Sequence, residues 1–497
     1  MLWSFDGGLH LEGRKQLACA CAITPAPVPT FLILPLLQHL GEPTQPVVQV
    51  GEQVLKGQII AQCQKNDCSA LMSAPIHASS SGTVVAIEPR PVPHPSGLSA
   101  PCIVIETDGA DRWRPLTPLP NYAHLSATVL REHIAQSGIV GLGGAGFPAH
   151  MKLKEGIDTL IINGAECEPY ITCDDRLMRE YPQELIGGAE ILMHVLGGAK
   201  RCVIAIEDNK PEAYAALTAV APTHIEIIKV PTRYPTGGER QLIQVLTGQE
   251  VGRERLPASV GIVMQNVETT RAIYRAVEYG RPLISRVVTV TGSGVHTPKN
   301  LEVLVGTPMR VLVNFCHPNP PIHQLIMGGP MMGFSLPHDD IPVVKTTNCL
   351  IVTTADEMTA TTPVPMPCIR CGACADVCPM RLLPQQLYWY AKAKDFKKAQ
   401  EYHLFDCIDC GCCAYVCPSH LPLVNYYRYA KAEIRSQNQE RRKADAAKKR
   451  HESRQLRLQR EKAERAARHQ HNKSLPQQDK EALIAQALEK AKTPHSS

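Results

Sequence analysis

The first 115 residues alternate short apolar runs with turns, which is the pattern of a small β domain. Valine and isoleucine dominate the runs, and glycine and proline separate them. The runs are PVVQV, QVLKGQIIAQC, SGTVVAIEP and CIVIET. Strand-length runs bounded by turn residues pair readily in antiparallel sheets. The pattern therefore predicts a β domain over residues 1–115.

Residues 120–285 follow a different pattern, in which buried strands alternate with amphipathic helices. DTLIINGAE and RCVIAIED are apolar runs, and the segment between them has apolar residues at helical spacing. Strands alternating with helices predict a parallel, Rossmann-like α/β sheet. Upstream, HLSATVLREHIAQSGIVGLGGAGFPAHMKL predicts a helix, a glycine loop and the start of another helix.

Short strands return in a module over 286–335, and a cysteine-rich region follows over 345–430. Residues 431–497 mix charges of both signs with alanine, which predicts an exposed helix that fades into disorder. A solvated tail is the simpler interpretation; a docking arm for a partner or an anionic membrane surface is the alternative. The expected fold class is thus multidomain α/β.

Composition narrows the classes of function. The chain has 497 residues and a formal net charge of only +5, with its basic residues concentrated in the tail. Nucleic-acid binding by the folded part is therefore not expected. The start, MLWSFDGGLH, does not resemble a secretory signal, and the apolar run FLILPLL (31–37) is too short to cross a bilayer. We expect at most a surface attachment to a membrane, and a reducing compartment.

Eight of the 19 cysteines fall in two copies of the run Cys-x2-Cys-x2-Cys-x3-Cys-Pro. The copies are CIRCGACADVCPM (368–380) and CIDCGCCAYVCPS (407–419). In two-cluster ferredoxins the last cysteine of each run binds the other [4Fe–4S] cluster. We therefore expect one cluster on Cys368, Cys371, Cys374 and Cys417, and a second on Cys407, Cys410, Cys413 and Cys378.

Zinc is the alternative metal, but it usually binds two separated cysteine pairs, so two complete runs with a trailing proline disfavour it. The extra Cys412 lies between two ligands and is expected not to bind metal. A pair of such clusters transfers single electrons. The glycine-dense loop GLGGAGFP (141–148) is the candidate cofactor site upstream, because glycines admit close approach of a phosphate. Alone it is weak evidence, since glycine-rich turns are common.

Two phrases of the first segment, GEQVLKGQII (51–60) and APIHASSSGTVVAIE (74–88), resemble the halves of a biotinyl/lipoyl-type flattened β-sandwich. Such domains carry their cofactor on a hairpin-tip lysine, and the corresponding stretch here, 73–81, has no lysine. The resemblance implies a lipoyl-like scaffold without the cofactor arm. An unrelated small β domain is the alternative.

Four segments, in order, resemble the NADH-binding, FMN-containing subunit of respiratory complex I. They are GIVGLGGAGFPAHMKL (138–153), LIINGAECEPYITCDDRL (160–177), PTGGERQLIQVLTG (235–248) and MQNVETTRAI (264–273). This implies an FMN/NADH-binding domain over 120–285. The module at 286–335 is similar to the soluble-ligand-binding β-grasp (SLBB) domain that follows it in that subunit.

The order of all five modules resembles the family of C subunits of the Rnf (Rsx) ion-translocating electron-transport complex. The resemblance implies electron transfer between NADH, FMN and two [4Fe–4S] clusters. The implied partners are integral membrane and iron–sulfur or flavin subunits of the same complex, with ferredoxin-type carriers reached indirectly. It also implies a peripheral protein at the cytoplasmic face of the bacterial inner membrane, which contacts the membrane through its partners.

The same resemblance implies the residues of the cofactor pocket. The phosphate side of FMN is expected at the glycine loop, the flavin ring near Asn163, and NADH near Glu166. The full set is Gly141, Gly143, Gly144, Gly146, Phe147, Lys152, Asn163, Glu166, Glu168, Gly238, Glu239, Gln265 and Asn266. No catalytic acid, base or nucleophile is expected, because the protein only has to stack and orient the cofactors.

Three positions depart from the complex I pattern: Leu142 replaces an arginine, Ala165 an aspartate and Arg240 a glutamate. These changes bear on FMN affinity and on the pose of the dinucleotide. Two alternative functions follow. One is a soluble diaphorase-type NADH dehydrogenase subunit, and the other is a non-enzymatic iron–sulfur relay adaptor with a vestigial flavin pocket.

Overall fold

The computed structural model describes residues 2–63, 72–252, 255–355 and 364–474, with five more residues between 476 and 485. Within these ranges the chain forms four β-sheets. The prediction that the tail fades into disorder concerns residues that lie largely outside the described ranges. Of the helices in the described part of the chain, none combines the length and the apolar character needed to span a bilayer.

The predicted N-terminal β domain is confirmed, and it consists of two small antiparallel sheets. The first contains β2 (Phe31–Pro35), β4 (Gln53–Val54), β7 (Gly82–Pro91) and β8 (Ser99–Thr107), and the second contains β3 (Gln45–Pro46), β5 (Ile59–Gln62) and β6 (Ile76–His77). The two sheets enclose one apolar core, to which Leu32, Ile60 and Ile103 contribute. In the longer strands β2, β7 and β8, apolar residues such as Leu32, Val84 and Ile103 supply the buried face that makes this core.

Residues 2–25, which the sequence pattern assigns to the β domain, lie outside its two sheets. Phe5 packs in the core of the α/β domain, and Leu9 forms a β-bridge with Tyr234. Helix α1 (Gln16–Cys19) follows, and β1 (Thr24–Pro25) pairs in parallel with a strand near residue 301. The N-terminal segment therefore connects modules that are distant in sequence.

The predicted parallel α/β sheet is confirmed. It contains β9 (Thr159–Gly164), β10 (Arg201–Glu207), β11 (Ile225–Val230) and β12 (Ile262–Asn266) in the order β11-β10-β9-β12. All neighbouring pairs are parallel. Strands β9 and β10 are buried on both faces, which explains their unbroken apolar sequences. The helices of this domain are α2 (Ala127–Gln136), α3 (Cys173–Glu180), α4 (Pro182–Val195), α5 (Pro211–Val220), α6 (Glu239–Thr247) and α7 (Val267–Tyr279).

Two local predictions in this domain differ from the structure. The helical period over 174–197 is divided into α3 and α4, because Pro182 begins a helix readily but cannot continue one. After the glycine loop the expected helix is only a 3-10 turn, Ala149–Lys152. The loop is therefore not followed by an α-helical N-terminus.

The module after residue 285 is a six-stranded mixed sheet. It contains β1, β13 (Ser285–Thr291), β14 (Lys299–Leu304), β15 (Ile322–Met327), β16 (Phe334–Leu336) and β17 (Cys349–Thr354), with α8 (Met309–Phe315) packed on it. Strand β17 pairs with both β13 and β15. The module therefore extends beyond the predicted end at residue 335. Strand β17, which belongs to it, lies in the range 345–430 that the sequence pattern assigned to the cysteine region. Its assignment as a β-grasp module stays a prediction.

The cysteine region is helical. Its helices are α9 (Ala373–Asp376), α10 (Pro384–Lys392), α11 (Phe396–Glu401), α12 (Cys412–Tyr415) and α13 (Leu423–Ser474). Helix α13 begins inside this region, where Leu423 and Tyr427 are buried, and continues as an exposed charged helix. The predicted tail helix is thus confirmed up to Ser474, and it starts earlier than residue 431.

Candidate functional site

The two cysteine runs fold around two cavities, and each cavity is lined by cysteines of both runs. The first cavity is lined by Cys378 together with Cys407, Cys410 and Cys413, and we name it the inner cysteine site. The second is lined by Cys417 together with Cys368, Cys371 and Cys374, and we name it the outer cysteine site. All eight are free thiols. The fold therefore groups the cysteines in the exchanged arrangement that the spacing predicts.

The repeated sequence also produces a repeated backbone. Equivalent residues of the two runs adopt nearly the same left-handed conformations. The φ angles are +57° at Arg370 and +56° at Asp409, +85° at Gly372 and +84° at Gly411, and +51° at Arg381 and +49° at His420. Glycine is favoured at the second pair because a left-handed residue precedes α9 and α12 there.

The two sites differ in exposure. At the inner site Cys410 and Cys413 are buried, and a Cβ added to Gly411 would lie 2.8 Å from the carbonyl oxygen of Met331. At the outer site Cys371 is exposed, and a Cβ added to Gly372 would meet no atom within 4 Å. The inner site therefore packs against the rest of the protein, whereas the outer site lies at the surface.

The inner site has a polar support that sequence reasoning missed. Lys431 of α13 donates to the carbonyl oxygen of Cys407 at 2.6 Å and to Asp409 Oδ1 at 2.8 Å. Burial raises the pKa of the Cys407 thiol to about 12. A bound metal centre would supply the positive charge that a thiolate needs in such a place.

The inner site adjoins the α/β domain directly. The hydroxyl of Tyr234, which is 3% exposed, donates to the carbonyl oxygen of Cys410 at 2.6 Å. Cys167 and Met331 pack in the same apolar cluster as Cys410. Cys167 directly follows Glu166 in the sequence. The segment that carries Glu166 therefore packs next to the inner site.

The predicted pocket residues of the α/β domain meet at the carboxyl edge of its sheet. Asn163 and Asn266 are register partners at the ends of β9 and β12. A Cβ on Gly143 would lie 3.4 Å from Asn266 Cβ, and Asn163 Nδ2 donates to the carbonyl oxygen of Gly237 at 2.9 Å. We name this edge, formed by residues 141–148, Asn163, residues 237–239 and Asn266, the glycine-loop site. Ligands of open parallel sheets bind at this edge.

Several of these residues already have structural partners. Asn266 caps α7, where its Oδ1 accepts from the N–H of Glu268 at 2.9 Å. Lys152 and Glu239 form an ion pair with each other at 2.7 Å. Phe147 is half-buried, and its carbonyl oxygen accepts from the N–H of Gly141 at 2.8 Å. Gly146 is also buried, with φ of +63°.

Glu166 is held by a lysine that sequence reasoning missed. Lys15 Nζ donates to the carbonyl oxygens of Glu166 at 2.6 Å, Glu168 at 3.1 Å and Ile171 at 2.7 Å. The same ammonium lies 3.6 Å from Glu166 Oε2. Lys15 lies in the N-terminal segment, far away in sequence, and no local pattern marks it.

Glu168 contacts a loop of the neighbouring six-stranded sheet. Its carboxylate accepts from the backbone N–H groups of Met331 at 3.1 Å and Met332 at 2.9 Å. Burial raises the pKa of Glu168 to about 7, although these hydrogen bonds act in the opposite direction. Glu168 thus lies under the loop that contacts the inner cysteine site.

Asp174 is a second residue that sequence reasoning missed. Burial, together with the negative charges of Glu166 and Glu268, raises the pKa of Asp174 to about 8. Its carboxylate accepts from Asn266 Nδ2 at 2.7 Å, and its N–H donates to Glu166 Oε1 at 2.8 Å. The sequence offers only two aspartates at the start of α3, which is an ordinary helix-start pattern.

The glycine-loop site has features that fit a bound flavin phosphate. Gly144 has φ of +103°, and an added Cβ there would meet no atom within 4 Å. Gln265 Nε2 is buried and has no hydrogen-bond partner in the described part of the chain. An open glycine turn of this kind suits close approach of an anionic ligand to the backbone. The departures Leu142 and Ala165 are both buried in apolar clusters.

Three stretches of the chain match models of known domain families. Residues 3–110 match the RnfC barrel sandwich hybrid domain, residues 134–275 the Nuo51 FMN-binding domain, and residues 367–421 a 4Fe-4S dicluster domain. The C subunit of the ion-translocating oxidoreductase complex of Yersinia pestis bv. Antiqua (strain Antiqua) is 48% identical over 476 residues, which are 94% of this chain and 75% of that protein. The chain belongs to this family of C subunits.

Other relatives in this family are longer. The corresponding C subunit of Edwardsiella ictaluri (strain 93-146) is 49% identical over 497 residues, which are 97% of this chain but only 60% of that protein. The chain thus spans about 60% of the length of that relative. A solved NAD+-reducing [NiFe]-hydrogenase in the H2-reduced state is similar with a TM-score of 0.45 and 20% identity, over 60% of this chain and 62% of that chain.

The family and domain matches confirm three predictions from the sequence. The N-terminal β domain is a barrel-sandwich hybrid, the α/β domain is an FMN-binding domain, and the cysteine region is a 4Fe–4S dicluster domain. The last match decides the metal in favour of iron–sulfur over zinc. The glycine-loop site thus belongs to the FMN-binding domain, and both cysteine sites lie within residues 367–421.

Proposed function

We propose that this chain passes electrons between NADH, FMN and two [4Fe–4S] clusters, and on to partner subunits of an ion-translocating complex. The observation that carries the proposal is the contact between the FMN-binding domain and the inner cysteine site, where Tyr234 donates to the Cys410 carbonyl at 2.6 Å. FMN accepts electrons from a nicotinamide as a pair and releases them singly, which is what two clusters require.

The glycine-loop site would hold FMN by its backbone. The N–H groups around Gly143 and Gly144 would bind the phosphate, and Lys152, which pairs with Glu239, would add a positive charge. Lys15 fixes the segment of Glu166 and Glu168, which would border the NADH pocket. The FMN and NADH pocket that we propose contains all the cofactor-binding residues predicted from the sequence. Lys15 is added to it as a positioning residue.

The exposure of the two cysteine sites supports an order of transfer. The inner cluster, on Cys407, Cys410, Cys413 and Cys378, adjoins the FMN-binding domain, so it would receive electrons first. The outer cluster, on Cys368, Cys371, Cys374 and Cys417, would pass them on, because Cys371 is exposed where a partner can dock. The protein's own residues bury the inner site and leave the outer one accessible.

The partners proposed are integral membrane and iron–sulfur or flavin subunits of the same complex, at the cytoplasmic face of the inner membrane. The family's members are named C subunits of an ion-translocating oxidoreductase complex, which supports this assignment. We also propose the five-module division made from the sequence, with β17 added to the β-grasp-like module and residues 2–25 treated as a connecting segment.

The experiment is anaerobic reconstitution of the chain with FMN, iron and sulfide, followed by addition of NADH. We expect the flavin and cluster absorbance to bleach. Clusters that are reduced only by dithionite would contradict the NADH site and favour the relay adaptor. Bleaching also occurs in a soluble diaphorase subunit, so fractionation with the membrane complex decides between those two.

A matched pair of glycine variants tests the FMN pocket. Gly144 and Gly156 both have positive φ, of +103° and +83°, and both have open space where a Cβ would lie. The backbone strain of an alanine is therefore similar at the two positions. We expect Gly144→Ala to weaken FMN binding about tenfold or more, and Gly156→Ala to leave it unchanged. Equal effects of the two variants would contradict the proposed phosphate position.

A further inference from the structure

A cavity beside the glycine-loop site lies where three modules meet. It has a volume of about 310 Å³ and opens to solvent. Lys56 and Trp113 of the β domain form one side, Arg271 and Arg275 of α7 form another, and Arg281 follows that helix. We name it the junction cavity, and a pocket of this size accommodates a small organic molecule.

Of the charged residues that line the junction cavity, all but one have an ion-pair partner within the described ranges; the lining carboxylate of Glu268 pairs with Arg286 at 2.7 Å. Lys56 pairs with Asp111, Arg271 with Glu184 at 2.7 Å, and Arg275 with Glu302 at 2.9 Å. Arg281 has no carboxylate partner in the described part of the chain. One positive charge is therefore left without a counter-charge at the cavity wall.

Two guanidinium nitrogens at this wall also lack hydrogen-bond partners. Arg275 Nε and Arg281 Nε are buried, and neither has an acceptor among the described residues. A buried donor without an acceptor destabilises the fold unless a ligand or water satisfies it. An anion in the cavity would satisfy both the donors and the unpaired charge.

Apart from Ser285 and the carboxylate of Glu268, which pairs with Arg286, the rest of the wall is apolar or aromatic. The ring of Trp113 lies 5.0 Å from Lys56 Nζ and 5.8 Å from the Arg281 guanidinium. Ala272, Leu283 and Leu304 line the cavity as well. Such a surface favours an organic body attached to the anionic group over a free inorganic ion.

We propose that the junction cavity binds an organic anion, a carboxylate or a phosphate monoester carried on an apolar or aromatic body. The junction cavity adjoins the glycine-loop site and shares one residue with it, Leu142. The N–H of Leu142 donates to Thr269 Oγ1 at 2.9 Å, and Arg286 donates to its carbonyl oxygen at 3.3 Å. An occupant would thus contact the rear of the glycine loop. The proposal does not depend on electron transfer by the chain.

The test compares two fluorescent probes on the full-length holoprotein. The anionic probe is 8-anilinonaphthalene-1-sulfonate, and the control is N-phenyl-1-naphthylamine, which has the same ring system without the charge. We expect Arg281→Gln to weaken binding of the sulfonate about tenfold or more and to leave the neutral probe unchanged. Arg310→Gln, at an exposed arginine paired with Asp340, should change neither affinity.

Competition on the wild-type protein keeps the proposal testable if Arg281→Gln does not fold. Octanoate and phenyl phosphate should displace the sulfonate probe, and the better of the two identifies the anionic group. Octan-1-ol, which has the same chain length as octanoate but no charge, should not displace it. Equal displacement by octan-1-ol, or equal sulfonate affinity in Arg281→Gln and wild type, would overturn the proposal. Parallel loss of both probes in Arg281→Gln would assign the arginine a structural role only.

Discussion

Lys15 provides a direct test of how the N-terminal segment supports the FMN-binding domain. Its ammonium group donates three hydrogen bonds to main-chain carbonyls of residues 166, 168 and 171, at 2.6, 3.1 and 2.7 Å. The side chain is 14% exposed, and the nearby carboxylate of Glu166 is 4% exposed. Replacing Lys15 by methionine keeps an unbranched side chain as long as the four-carbon stem of lysine and removes the ammonium group that makes all three hydrogen bonds.

The expected cost follows from these contacts. A hydrogen bond to a charged group contributes about 1.5–3 kcal/mol, but three bonds to one ammonium are not additive. Removing one member of a buried ion pair costs about 3–5 kcal/mol, because the remaining charge is left unpaired. We therefore expect Lys15→Met to lower the free energy of unfolding of the FMN-binding domain by about 3 kcal/mol, and to weaken FMN binding as the segment of Glu166 loosens.

Urea unfolding followed by circular dichroism measures the first effect, and titration with FMN measures the second. The control is Lys200→Met, because Lys200 pairs with Asp158 at 2.8 Å at the exposed surface, where such pairs contribute little. A loss of less than about 1 kcal/mol in Lys15→Met would refute the reasoning that buried, charged hydrogen bonds dominate here. An equal loss in Lys200→Met would do so as well.

Two further predictions concern the iron–sulfur region and Glu168. Cys378→Ser should destroy the inner cluster and Cys417→Ser the outer one, each lowering the iron content by about half, whereas Cys412→Ser should keep both clusters. Iron analysis and electron paramagnetic resonance measure these losses. A full iron content in Cys378→Ser would exclude the exchange of last cysteines between the two runs. Folding raises the pKa of Glu168 from 4.5 to about 7. Between these values the folded state binds more protons than the unfolded state, so its contribution to stability falls as pH rises. Glu168→Gln should remove that slope from urea midpoints measured between pH 4.5 and 7, and an unaltered slope would argue against the shift.

Local patterns predicted the elements well where one physical constraint dominates. Strands β9 and β10 are buried on both faces, so their apolar sequences identify them without any other information. The four-cysteine runs predicted both cavities, because the spacing within each run fixes which thiols can converge. The helical period predicted between β9 and β10 is confirmed, and Pro182 divides it into two helices because proline begins a helix readily but cannot continue one.

The candidate site was predicted only in part. The sequence located the glycine loop, Asn163 and Asn266 by resemblance, and the parallel register of β9 and β12 brings them to one edge. It did not reveal that Lys152 and Glu239 pair with each other, since residues far apart in sequence carry no sign of their contact. Asp174 was also missed, because its raised pKa arises from burial beside Glu166 and Glu268.

By itself, the sequence determined the order of modules, the periodicity of their strands and helices, and the two cysteine runs, because these depend on spacing within short segments. The tertiary structure decided how the modules meet. It placed β1 beside β14, Lys15 beneath Glu166, and Tyr234 against Cys410. Each of these contacts joins residues more than 100 positions apart. These long-range contacts form because the folded chain buries apolar surface and pairs its buried polar groups. Local sequence patterns do not show which distant residues will meet in this way.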